Sequence, residues 1–220
     1  MKLPVATLLL VFCALAPAWA GGEELVRAML AKQATYAAVQ GDFVQERRMS
    51  AMDQTARAAG VISYARPNCM RWDYHEPMAS NLISNGDTLW YYVPELQQAQ
   101  VMNLGAHPSV QRLMIALSLG SPGAYEQLVK SFRIFAANRD GKLRITLKAK
   151  QADLYVKQIN VAVNPATMLP ERISITDRNN DVSVLQFSGF RFNPELATDA
   201  FSFVPSAGVE VIPLDMLGVW

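Results

Sequence analysis

Apolar and polar residues alternate along most of this chain with period two, the pattern of strands that bury one face. Such stretches run Phe43 to Met49, Arg57 to Ala65, Cys69 to Tyr74, Ala79 to Ser84, Thr88 to Val93 and Gln100 to Leu104. They resume at Arg133 to Ala137, Leu143 to Lys148, Lys157 to Val163, Arg172 to Thr176 and Val182 to Phe192. Turn residues separate them: Asn85-Gly86, suited to a type I′ hairpin, Asn138-Arg139-Asp140-Gly141, and Asp177-Arg178-Asn179-Asn180. Closely spaced short strands joined by tight turns predict an antiparallel meander rather than alternating strands and crossover helices.

Helical spacing occurs in three places, once ahead of the meander and twice within it. Leu25, Met29, Leu30, Ala34 and Ala37 predict an amphipathic helix over Glu23 to Ala38, with Gly41 beyond its end. Val110, Leu113, Met114 and Leu117 fall at i, i+3, i+4 and i+7, widened by Ile115 and Leu119, with Ser109 placed as N-cap and Gly120 as stop. A short helix over Ala124 to Val129 follows. Parity assigns faces within the sheet: Ile62, Tyr64, Arg66, Met70 and Trp72 share one side, as do Leu143, Ile145 and Leu147. Roughly eleven strands make a sheet too large to stay flat, so it curls. The few helical residues have a large concave apolar face to cover.

Composition refines this reading. With 220 residues, 51% apolar and 18% charged, the chain has enough apolar side chains for a core. Lys2, the apolar run Leu3 to Leu15 and Pro17-Ala18-Trp19-Ala20-Gly21 have the form of a secretory signal with cleavage after Ala20. This divides the chain into a signal peptide, 1–20, and a single domain, 21–220. Removal of Lys2 takes the net charge from +1 to zero, which leaves nothing to attract nucleic acid or an anionic membrane face. Cys69 is then alone and cannot form an internal disulfide. Cys13 would matter only if it were lipidated, but Phe12 precedes it where such sites take a small residue.

Catalytic parts are missing. The only histidines are His75 and His107, and the chain has no nucleophile elbow, no H-E-x-x-H and no paired cysteines. An enzyme, a metal site and a cofactor are therefore not expected. Met and aromatic residues on a concave face fit either plain core or an adaptable apolar cavity. The same duality holds at Arg66: parity aims it inward, where a cation needs acceptors such as the carbonyls of a covering helix, while Pro67 could break the alternation and turn it to solvent.

Gly41-Asp42-Phe43-Val44-Gln45, Arg66-Pro67-Asn68-Cys69-Met70-Arg71-Trp72, Ser84-Asn85-Gly86-Asp87-Thr88-Leu89-Trp90 and Phe201 to Ile212 together resemble the LolA family of periplasmic lipoprotein carriers. The resemblance implies a mainly β (α+β) fold, a curved antiparallel incomplete β-barrel covered by a helical lid. It implies a monomeric chaperone that takes acylated lipoproteins from the inner-membrane transporter LolCDE and passes them to the outer-membrane receptor LolB, with brief membrane proximity at each end. Arg66 would gate the lid together with the Ser109 to Gly120 helix. Phe43, Ile62, Tyr64, Met70, Trp72, Leu89, Tyr91, Leu113, Met114, Leu117 and Ile145 would line the lipid cavity. Met70 stands where some members carry an aromatic residue or leucine, and the chain ends in an apolar tail, Pro213 to Trp220. The alternatives are a carrier of another lipid or glycolipid, a LolB-like acceptor if Cys13 is lipidated, and an RseB-like sensor, which would carry a second domain.

Overall fold

The computed structural model describes residues 20–117, 120–151 and 156–214, without the side chains of residues 20, 112, 113, 116 and 117. The signal-peptide reading and Cys13 lie outside the described residues, as does most of the apolar tail. All eleven expected strands are present: β1 (Ala38–Met49), β2 (Gln54–Ala65), β3 (Cys69–Glu76), β4 (Ser80–Ser84), β5 (Thr88–Val93), β6 (Gln98–Asn103), β7 (Phe132–Arg139), β8 (Lys142–Ala149), β9 (Val156–Val163), β10 (Pro170–Asp177) and β11 (Val182–Phe192). A twelfth, β12 (Glu210–Pro213), pairs parallel to β6 and departs from the fully antiparallel expectation.

The strands form one sheet in the order β12-β6-β5-β4-β3-β2-β1-β11-β10-β9-β8-β7. Two meanders, β1 to β6 and β7 to β11, are joined where β1 pairs with β11, so the longest strands form the spine. Among the described residues the two end strands, β12 and β7, do not pair with each other, which leaves the barrel open.

Several local expectations give way to tertiary context. The 85–87 connection is a three-residue loop rather than a two-residue type I′ turn. Asn85 Oδ1 accepts from the amides of Asp87 (3.0 Å) and Thr88 (2.9 Å), and only Gly86 adopts a positive φ, 96°. Helix α1 (Ala20–Gln33) stops five residues before the expected end, because Ala38 onward pairs with β2 and the preceding backbone is held by Asn193. In α2 (Pro108–Leu117) Pro108 takes the first helical position, which displaces Ser109 from the expected cap. Proline suits that place because its missing N–H would have had no helical partner. The third helix, α3 (Ala124–Ser131), occurs as expected.

The core occupies the concave side. Phe43, Ile62, Met70, Trp72, Leu89, Ile145 and Leu147 from the sheet join Val26, Met29 and Leu30 of α1, Val110 and Met114 of α2, and Leu128 of α3 in one buried cluster. On the convex side the segment after β11 crosses the sheet. The Phe203 ring packs on Trp90 (5.2 Å between centroids) and Tyr92 (4.9 Å), and Arg71 donates to the Ala200 carbonyl at 3.1 Å. That path delivers β12 to the edge of β6.

Candidate functional site

Between α1 and the concave face lies an apolar cavity of about 120 Å³. Helix α1 supplies its roof through Val26, Met29, Leu30 and Gln33, and α3 adds Leu128. The spacing 26, 29, 30, 33 is one face of a helix, which explains why these four point together. Walls come from Val39 of β1 and Trp72 of β3, and from β2, β8, β9, β10 and β11 at mostly alternate positions. A bulge in β11 brings a further aromatic residue inside. The β1–β11 register shifts between Gln40 and Asp42, with Gly189 at φ 63°, so Phe187 and Phe190 both line the cavity although their numbers differ in parity. Gly41 leaves room for this: a Cβ there would lie 2.6 Å from the Phe190 ring.

Hydrogen bonds fasten the roof at its C-terminal end. Arg66 Nη1 donates to the Ala34 carbonyl at 2.7 Å, and the Arg66 amide donates to the Ala37 carbonyl at 3.0 Å. Buried Gln33 donates through Nε2 to the Met168 carbonyl at 2.7 Å, and the Tyr36 hydroxyl donates to the Thr167 carbonyl at 3.0 Å. The Arg66 side chain therefore resolves its two readings in an intermediate way: it is exposed overall, yet its guanidinium finds a carbonyl just past α1. The loop after α2 closes on the same place. Ser121 donates to the Pro67 carbonyl, and Gly120 (φ 53°) packs so closely that a Cβ would lie 2.2 Å from the Leu30 carbonyl oxygen.

Of the expected cavity residues, Ile62, Tyr64, Trp72 and Ile145 line the void. Phe43, Met70, Leu89 and Met114 lie in the buried cluster around it and do not border it. Phe43 packs edge-on against Trp72 (4.9 Å) and Tyr74 (5.1 Å), a plain core role. Tyr91 faces a separate groove of about 230 Å³, with Tyr74, Met78 and Leu82, because β5 lies two strands beyond β3 and away from the roof. Leu113 and Leu117 fall in α2, with side chains outside those described. Sequence reasoning missed the walls from β9 to β11. Their period-two pairs, Val161/Val163, Ile173/Ile175 and Leu185/Phe187, carried the signal.

Burial dominates the electrostatics. It pushes the hydroxyls of Tyr64 and Tyr74 far above the usual tyrosine range. Burial also raises the Cys69 thiol, so it is not an activated nucleophile. Among the described residues no three His, Cys, Asp or Glu side chains converge as a metal site would need, and no helix is long and apolar enough to cross a membrane.

An open curved sheet with an apolar void under a fastened helix is the arrangement that a carrier of hydrophobic groups needs. Residues 34–204 match the family described as outer membrane lipoprotein carrier protein LolA, and the chain belongs to that family. It is 28% identical over 206 residues to the outer-membrane lipoprotein carrier protein of Bordetella avium (strain 197N), covering 91% of this chain and 93% of that one. Its identity to the carrier of the same name from Chromobacterium violaceum is 27% over 205 residues, covering 91% of both. An uncharacterized conserved protein from Thermus thermophilus shares the fold, with a TM-score of 0.54 at 9% identity over 86% of this chain and 99% of that one. LolA family members are periplasmic lipoprotein carriers and not enzymes.

Proposed function

We propose that this protein shelters the acyl chains of lipoproteins in the cavity beneath α1 and carries them across the periplasm, from the inner-membrane transporter LolCDE to the outer-membrane receptor LolB. On this reading the 1–20 segment directs export and is removed near Ala20-Gly21. The observation that carries the proposal is the size and cover of the void. At about 120 Å³ it is well below the roughly 300–1,000 Å³ of ordinary ligand pockets, yet it is walled almost entirely by apolar side chains. This suits the empty, closed form of a cavity that enlarges when α1 swings away.

The energetics suit a gate. The three side-chain hydrogen bonds from Arg66, Gln33 and Tyr36 contribute about 1 kcal/mol each. An acyl chain gains about 0.8 kcal/mol per methylene removed from water, so four buried methylenes offset the fastenings. The same figure forbids release of a multiply acylated cargo into water, so loading and delivery proceed by direct contact with membrane partners. Arg66 gates by holding the end of α1 when the cavity is empty and letting go when it fills.

Arg66→Leu tests this in a transfer assay with purified transporter and receptor. Loss of the closed form predicts that loading persists while hand-over to the receptor fails. Normal loading together with normal release would show that Arg66 has no gating role.

A further inference from the structure

Twenty residues line the cavity, and only Gln33, Tyr64 and Trp72 among them carry a side-chain nitrogen or oxygen. The Gln33 amide already donates to the Met168 carbonyl. The other two stand together, diagonal across the β2–β3 pairing in which Ile62 opposes Trp72 and Tyr64 opposes Met70. Trp72 is only 7% exposed, yet its Nε1–H has no hydrogen-bond partner among the described residues. The Tyr64 hydroxyl lies close beside it, near enough for the indole to act on it, yet without a well-formed hydrogen bond between them. A buried donor without an acceptor keeps the full cost of its desolvation, so native proteins leave few of them. Indole N–H can only donate, whereas a phenol hydroxyl donates and accepts, so even if the Tyr64 oxygen takes the indole proton, the pair has two donors for one acceptor and one donor is left over. A ligand that satisfies the pair must bring an acceptor oxygen into an otherwise apolar chamber.

We infer that Tyr64 and Trp72 form a carbonyl-binding pair that takes the ester or amide oxygen at the head of a fatty-acyl chain. The inference rests on the carrier reading and adds to it a fixed depth of insertion: the hydrocarbon packs against the walls without register, and the carbonyl sets where it stops. Few polar groups in an apolar pocket commonly serve this orienting purpose. A fatty-acyl carbonyl occurs both in the lipid anchor of a lipoprotein and in a phospholipid, so both belong in the test.

The purified protein is titrated with a diacylated lipopeptide, with the dialkyl ether of the same lipopeptide, and with a diacyl phosphatidylglycerol. The Trp72 indole N–H resonance, assigned through its proximity to the Tyr64 ring, is followed throughout. The pair predicts a downfield shift with the diacyl lipopeptide and none with the ether, and an affinity about three- to tenfold higher for the acyl form. Trp72→Phe removes that preference and Tyr64→Phe reduces it; the wild-type resonance decides the matter if a variant fails to fold. A shift with the lipopeptide alone assigns the carbonyl to the cargo, and a shift with phosphatidylglycerol as well assigns it to acyl lipids in general; either supports the pair. Equal affinity for acyl and ether forms with an unmoved resonance overturns the pair and leaves the carrier reading standing. Binding of none of the three overturns both.

Discussion

Gln33, on the last turn of α1, donates its side-chain amide to the Met168 carbonyl across 2.7 Å, which ties the cavity roof to the loop between β9 and β10. Gln33 is 6% exposed, so its bond is shielded from water in a way the exposed Arg66 bond is not. Two of the fastenings at this helix end thus differ in character, one buried and one at the surface.

Gln33→Ala removes the buried fastening and leaves the Met168 carbonyl without its donor. The expected loss of stability is about 1–3 kcal/mol in a denaturant titration. Binding of an apolar fluorescent dye should rise at the same time, because the roof loosens. Arg66→Leu, at the exposed fastening, should cost less in stability than Gln33→Ala.

Gly120→Ala strikes the loop that closes on the end of α1. The residue adopts φ 53°, and a Cβ there would overlap the Leu30 carbonyl and the Ala34 amide. Strain and crowding together should cost about 1–3 kcal/mol. Thermal unfolding measures the loss, and dye binding reports whether the roof has lifted.

Phe43→Ala separates core from cavity. The ring is 1% exposed and packs on Trp72 and Tyr74 rather than bordering the void, so truncation should destabilise by about 3–5 kcal/mol. Ile173→Ala, in the cavity wall, should instead alter lipid affinity with a smaller stability loss, because its side chain is only partly buried. Denaturant midpoints beside lipid titrations of both variants check the contrast.

Acid should weaken the β8–β10 side of the barrel. Glu171 accepts from Lys142 and, at 2.9 Å, from Asn164 Nδ2, and these bonds, led by Lys142, hold its carboxyl below the usual range. A carboxylate depressed in the folded state stabilises above its unfolded pKa, and that contribution fades as pH falls through the folded value. The wild type should therefore lose more stability than Glu171→Gln between neutral pH and pH values below about 4.5, by a small margin because the group is solvated. Thermal melts across that range provide the comparison.

The eleven strands were legible because each ends in turn chemistry written within a few residues, as at Asp140-Gly141, where both residues take positive φ. The twelfth was not, since β12 is four residues long and finds its partner β6 more than a hundred positions earlier. Arg66 was recognisable as a cation needing carbonyls, but the sequence pointed to the Ser109 to Gly120 helix for the roof. In the fold α1 covers the void, because β7 and α3 pack against α1 after the second meander closes onto β1. That closure is a long-range event, and the β9 to β11 walls depend on it. Parity could name their inward residues but not the strands they would face.

If α1 leaves the sheet when lipid enters, as a carrier with this roof requires, the movement is visible as an electron–electron distance. Spin labels at Lys32, on α1, and Arg172, on the outward side of β10, in a Cys69→Ser background report the separation with and without a diacylated lipopeptide. The predicted result is a short distance in the empty protein and a longer one when it is loaded. An unchanged distance at full lipid occupancy would contradict the opening of the roof.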